Sequence, residues 1–197
     1  MIIVRFADLT IVIPIKNPPN LDLFIKENKA LLRSEARKIV IDSDGGNQFQ
    51  NARSLGFLPL LYEGRDVPLW EARKIGYEYT VTPFILNLDC DVVLPLEYVD
   101  NALLLLREGK ADAVAIHFDP VKTGHLEFGT SLWKTDILKK LYDYNISLIS
   151  DGKIVKVGSM AYSTLNNGWC ECTYMWRKLK ANGYKLETLP MRAKHLR

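Results

Sequence analysis

What most constrains this chain is the alternation, through its first half, of short unbroken apolar runs with helix-patterned segments. Thr10-Ile11-Val12-Ile13-Pro14-Ile15 is β-branched, continuous and short, the pattern of a strand buried on both faces. Asn17-Pro18-Pro19-Asn20 breaks it, and Asn20 is placed to cap a helix whose Leu21, Phe24, Ile25, Leu31 and Leu32 fit helical spacing. Lys38-Ile39-Val40-Ile41 reads as a second strand, stopped by the turn-forming Asp42-Ser43-Asp44-Gly45-Gly46. Leu58 to Tyr62 suggests a third, Trp70 to Tyr79 a helix, and Pro83 to Leu88 a fourth strand.

The second half continues less regularly. A helix is expected near Tyr98 to Arg107, a strand at Ala113 to Phe118, a strand-like piece at Glu127 to Leu132, and a helix from Thr135 to about Tyr144. Asn145 to Gly168 reads as loop or hairpin, and a helix from Glu171 to Ala181 ends at Asn182-Gly183, a good C-cap. The order argues for an α/β fold with a mostly parallel central sheet flanked by helices and joined by right-handed crossovers. In open sheets of this kind ligands gather at the carboxyl ends of the strands. Two such ends carry acid pairs, Asp42/Asp44 and Asp89/Asp91.

The 197 residues suffice for one domain with a substantial core, and 48% hydrophobic against 25% charged residues is ordinary for a globular chain. A net charge of +3 with no long basic run gives no support to a nucleic-acid surface. Basic residues do crowd the end, from Arg177 to Arg197, with Glu187 the lone acid among them. That segment suits a solvated helix face and tail, diphosphate binding, or peripheral contact with an acidic membrane. Cys90, Cys170 and Cys172 make neither a disulfide framework nor a zinc-ligand set, so reduced, buried thiols are expected. The apolar run Ile2 to Ile15 is interrupted by Arg5 and Asp8 and is too short to span a bilayer. A cytoplasmic location is expected.

Leu86-Asn87-Leu88-Asp89-Cys90-Asp91 sets two carboxylates directly after an apolar strand. In a regular strand, residues i and i+2 share a face, so the pair can converge on one cation. Mg²⁺ and Mn²⁺ take oxygen ligands and commonly use one or two carboxylates plus substrate phosphates.

The run Glu71-Ala72-Arg73-Lys74-Ile75-Gly76, followed by Thr82 to Asp91, resembles the signature of GT-A-fold glycosyltransferases, especially family 2. Other segments agree in order: Ile13-Pro14-Ile15-Lys16-Asn17, Ile39 to Gly46, Gly129-Thr130-Ser131-Leu132-Trp133, and Trp169-Cys170-Glu171 with Arg177, Leu179 and Gly183. The resemblance covers nearly the whole chain and points to the small archaeal or archaeal-virus members. It implies a GT-A, Rossmann-like nucleotide-diphospho-sugar transferase fold in a single domain, residues 1–197. About 1–92 would bind nucleotide and about 93–197 the acceptor.

It also implies an activity: inverting transfer of a sugar from a UDP- or GDP-sugar to a hydroxyl of a glycan, lipid or protein, dependent on Mn²⁺ or Mg²⁺. Asp42 would then hydrogen-bond the base, Pro14 and Asn17 would shape the nucleotide pocket, and Arg73 would face the nucleotide. Asp91 would bind the metal, Asp89 the ribose or a metal-bound water, and His195 would be a C-terminal metal or phosphate ligand. Inversion requires a base for the acceptor hydroxyl. Glu171 matches the first position of the family's Glu-Asp motif, but Cys172 stands where the second acid lies. Asp151, in Ser150-Asp151-Gly152, is the alternative.

Other functions compete. Ile39-Val40-Ile41-Asp42-Ser43-Asp44-Gly45-Gly46 also reads as the strand and Asp-x-Asp-Gly of a haloacid dehalogenase-type phosphatase, with Asp42 as nucleophile, though Gly46 and Asn47 depart from that motif. A non-catalytic nucleotide-sugar-binding module would share the pocket without turnover.

Overall fold

The computed structural model describes residues 6–15, 20–42, 57–61, 69–118, 126–142, 146–150, 153–157 and 171–196. The strands are β1 (Leu9–Ile15), β2 (Arg37–Asp42), β3 (Phe57–Leu61), β4 (Phe84–Asn87), β5 (Val92–Val93), β6 (Ala113–His117), β7 (Leu132–Lys134), β8 (Ile146–Ser150), β9 (Lys153–Val157), β10 (Leu186–Arg192) and β11 (Lys194–His195). The helices are α1 (Leu21–Glu27), α2 (Lys29–Leu32), α3 (Leu69–Glu78), α4 (Leu96–Arg107), α5 (Thr135–Leu141) and α6 (Glu171–Ala181).

Among the described residues, seven strands form one sheet in the order β10-β6-β7-β4-β1-β2-β3. All its pairings are parallel except those of β7, which runs against β4 and β6. The α/β architecture with a mostly parallel sheet is therefore as expected. Every residue of β1 is buried, because helices cover both faces of the sheet. Its odd-numbered residues, Ile11, Ile13 and Ile15, join Phe24, Leu31, Tyr98 and Leu103 in one core. Val12 joins Ala72, Tyr77, Trp133, Ile137 and Met175 in the other. Trp133 is thus a core residue. Pro14 lies beyond Val12↔Asn87, the last β1–β4 pair, so its missing N–H takes nothing from that ladder.

Local signals account for several boundaries. Asn20 caps α1 by accepting from the Leu23 amide at 2.9 Å. At the end of α6, Gly183 has φ of 72°, with Gly183 N–H donating to Lys180 O and Tyr184 N–H to Leu179 O. That is a Schellman ending, and a residue with a Cβ would be strained there. Ile146 to Val157 contains the hairpin anticipated from its turn residues, with β8 and β9 paired antiparallel.

Three expectations are corrected. The helix after Asn20 is two helices, broken at Asn28, whose side chain turns to hydrogen-bond elsewhere. The strand expected at Glu127 to Leu132 is a 3-10 turn, Phe128–Thr130, before β7. Thr130 Oγ1 and Ser131 Oγ donate back to Glu127 O (2.8 Å) and Phe128 O (2.7 Å), local bonds that compete with a ladder. Cys90 and Cys172 are in no disulfide among the described residues, but they are half-buried rather than buried. Among the described residues, no helix is long and apolar enough to cross a membrane.

Candidate functional site

The parallel strands β1, β2 and β4 end on one edge of the sheet, and the order 3-2-1-4 reverses between β1 and β4. A crevice at such a reversal is where open α/β sheets bind ligands. Asp89 and Asp91 follow β4 at this edge. They do not continue the strand. The chain turns, with Val92 N–H donating to Asp89 O at 3.1 Å, so the two acids separate instead of sharing a strand face.

Asp89 points toward α3. That helix lies tight on the sheet because Gly76 leaves no side chain between them; a Cβ there would fall 2.4 Å from Val12 Cγ1. Arg73, one turn earlier on the buried stripe Ala72, Arg73, Gly76 and Tyr77, is carried inward to 3% exposure. A surface role for this cation is ruled out by that burial. Its Nη2 donates to Asp89 Oδ1 at 2.5 Å, its Nη1 donates to Glu171 Oε2, and its guanidinium sits 5.2 Å over the Phe128 ring. Arg73 Nε is buried and has no hydrogen-bond partner among the described residues.

Glu171 opens α6 and is equally buried. Its second oxygen, Oε1, accepts from the Tyr142 hydroxyl, so both carboxylate oxygens are engaged. Tyr142 in turn meets Tyr77 edge to face at 4.9 Å, and Tyr77 donates to Asn87 Oδ1 at 2.6 Å. One cation therefore serves two acids. Burial, reinforced by Asp89, pushes the Glu171 carboxyl above its ordinary value against the opposing pull of Arg73 and Tyr142. Burial also acts to lower Arg73, but Asp89 and Glu171 outweigh it and hold the guanidinium charged.

Asp91 points the other way. The C-terminal strand β11 pairs antiparallel with β5, His195 opposite Val92, and Leu196 N–H donates to Asp91 O at 2.8 Å. This brings His195 Nδ1 to 3.5 Å from Asp91 Oδ2, while the imidazole stacks on Phe118 at 3.9 Å. Nδ1 is buried and makes no hydrogen bond among the described residues. At 3.5 Å this oxygen and the orphaned nitrogen are too far apart for a good hydrogen bond, and both are donor types that a divalent cation could share. Among the described residues, no three His, Cys, Asp or Glu side chains are arranged to hold a metal by themselves. Any ion bound between Asp91 and His195 would need further ligands from substrate or water.

Structurally, Arg73, Asp89 and Glu171 are brought together, and Asp91 with His195. Pro14 is buried in β1. Asp42 ends β2 opposite Ile15, but its side chain, Asn17 and Asp151 lie outside the described residues. Tyr142, Phe128 and Asn87 join the site with no motif in the sequence to mark them. A hollow of about 760 Å³, lined by Thr82, Phe84, Leu106 and Lys134 among others, opens at the opposite end of the sheet. Two of its cations, Arg107 and Lys134, are already paired with Asp8 and Asp112.

No protein-family model matches the sequence, and no curated protein does. Solved structures do. S. aureus TarS (residues 1–349) superposes with a TM-score of 0.63 at 14% identity, over 94% of this chain and 59% of that one. The fold is shared with glycosyltransferases of GT-A type. TarS with UDP-GlcNAc gives 0.66 at 14% identity, over 94% of this chain and 57% of that one. The mannosyltransferase PcManGT from Pyrobaculum calidifontis, in complex with GDP-Man and Mn²⁺, gives 0.66 at 15% identity, over 93% and 55%. The chain thus spans a little over half the length of these structures.

Proposed function

We propose that this protein is a divalent-metal-dependent, inverting glycosyltransferase that takes a sugar from a UDP- or GDP-sugar and passes it to an acceptor hydroxyl of a glycan, lipid or protein. The observation that carries the reading is the buried, orphaned His195 Nδ1 beside Asp91, at the edge of a fold shared with enzymes solved with UDP-GlcNAc and with GDP-Man and Mn²⁺. Residues about 1–92 hold the nucleotide and about 93–197 the acceptor.

Asp91 and His195 are the residues that would hold the cation, with one oxygen and one nitrogen donor. When bound there, a Mn²⁺ or Mg²⁺ ion would supply Lewis-acid chemistry, offsetting negative charge on a departing nucleoside diphosphate. Asp89, held at one oxygen by Arg73, presents the rest of its carboxylate to the ribose. Arg73 lies behind it and fixes its orientation, while Pro14, Asn17 and Asp42 shape the nucleotide pocket and Asp42 receives the base.

The acceptor oxygen attacks the anomeric carbon as the bond to the diphosphate breaks, and its proton must be taken up. Glu171 has both oxygens engaged, which suits holding Arg73 rather than collecting a proton. Asp151 is the acid left for that step.

The test is release of UDP or GDP from a panel of their sugars with Mn²⁺ and with EDTA, in the presence of saccharide and lipid acceptors. Metal-dependent release that Asp151→Asn abolishes, with nucleotide affinity retained, is expected. Nucleotide binding without turnover on any acceptor or water would leave a binding module instead. Release that persists in EDTA would refute metal dependence.

A further inference from the structure

We propose that Asn28 is a positioning residue for the Asp91–His195 pair, a role that rests on the metal-site reading above. Asn28 separates α1 from α2 and is 2% exposed. Its Nδ2 donates to Phe24 O at 3.1 Å and to Val92 O at 2.8 Å, and its Oδ1 accepts from the Leu94 amide at 3.1 Å. Val92 O and Leu94 N–H flank Val93 on one edge of β5. A neighbouring strand would take the same two groups, so the asparagine amide stands in for a strand one residue long.

The other edge of β5 pairs with β11, Lys194 opposite Val93 and His195 opposite Val92. The alternation is consistent: Val92 and Leu94 face Asn28, whereas Asp91 O accepts from Leu196 on the β11 side. A two-residue strand has little hold of its own. It keeps its place because one edge is stapled to the helix layer, and the C-terminal segment pairs with the edge left over. His195 reaches Asp91 only through that pairing. Asn28, more than sixty positions earlier, touches neither side chain but sets the distance between them.

Outer-shell partners of metal ligands typically change affinity by about 10–100-fold. Mn²⁺ alone, titrated by the EPR signal of the free ion, is the probe. Asn28→Ala should weaken Mn²⁺ binding about tenfold or more. Asn28→Asp, which keeps the acceptor for Leu94 N–H but loses the donor to Val92 O, should fall between that variant and the wild type. Asn20→Ala, which removes the cap of α1 without touching β5, serves as a destabilised control and should stay within about twofold of the wild type. Should Asn28→Ala be too unstable to titrate, Asn28→Asp against Asn20→Ala decides the matter.

Asp91→Ala is titrated alongside. Weak binding in Asp91→Ala with wild-type binding in both Asn28 variants would overturn the positioning role and leave the metal site standing. Equal loss in Asn28→Ala and Asn20→Ala would also overturn it, since general instability would then explain both. Wild-type binding in Asp91→Ala would remove the metal site, and this role with it.

Discussion

Gly129 lies so close to the carboxylate of Asp89 that a Cβ at position 129 would fall 1.9 Å from Asp89 Oδ2. The backbone is equally close, with Asp89 N–H donating to Gly129 O at 3.0 Å. The 3-10 turn thus acts as a wall that presses Asp89 toward Arg73. Gly129→Ala should force the carboxylate aside at a cost of about 1–3 kcal/mol. Its larger effect should be on the donor: nucleotide-sugar affinity falling tenfold or more by calorimetry, with Mn²⁺ affinity near that of the wild type. Unchanged donor affinity would separate Asp89 from the nucleotide.

Removing the shared cation should be costly. Arg73→Ala leaves Glu171 buried with a carboxylate facing Asp89 and no counter-charge, and breaking a buried pair in this way costs about 3–5 kcal/mol. Arg73→Lys should recover only part of it, because an ammonium lacks the planar fork that reaches both acids. Urea unfolding measures both, and a loss below about 1 kcal/mol in Arg73→Ala would mean that the cluster is not a stabilising element.

The upward displacement of Glu171 has a signed consequence for pH. Between the ordinary glutamate value of 4.5 and the higher value in the folded chain, the folded state holds a proton that the unfolded state has lost. Stability from this residue is therefore full below 4.5 and declines as pH rises through the folded value. Wild type should lose stability relative to Glu171→Gln as the pH is raised from 4.5 toward neutrality. A difference growing in the opposite direction would mean that Arg73 dominates over burial.

Gly76→Ala isolates packing from helix propensity. In an exposed helix the change stabilises by about 1 kcal/mol. Here the new methyl meets Val12 Cγ1 at 2.4 Å and Ile41 Cδ1 at 3.0 Å, and overpacking costs about 1–3 kcal/mol. Net destabilisation is expected in thermal unfolding, together with weaker nucleotide binding as α3 lifts Arg73 away from Asp89.

The strands of the parallel half were legible because β1, β2 and β4 are buried on both faces and so leave continuous apolar runs. Arg73 and Gly76 stood out as a spaced pair, and packing explains them: the glycine brings the helix down, the arginine then points into the site. The break at Asn28 was not legible, since its cause lies in Val92 and Leu94, residues far along the chain. Tyr142 gave no signal either. It sits at the end of α5 like any core aromatic, and only the fold brings its hydroxyl to Glu171. The Asp89/Asp91 pair is legible from its spacing, yet the turn after β4 sends the two side chains to different partners, something i and i+2 alternation alone does not anticipate.

The proposed cation site, Asp91 with His195, is open to a direct test. Thermal unfolding with UDP and with GDP, each with and without Mn²⁺, compares wild type with Asp91→Ala. At about 100 times its dissociation constant a ligand adds roughly 2.7 kcal/mol, which raises the midpoint of a chain this size by roughly 5–10 °C. That shift is expected with one of the two nucleotides, only when Mn²⁺ is present, and it should be lost in Asp91→Ala. A shift of the same size without Mn²⁺, or one that survives the substitution, would contradict the proposed site.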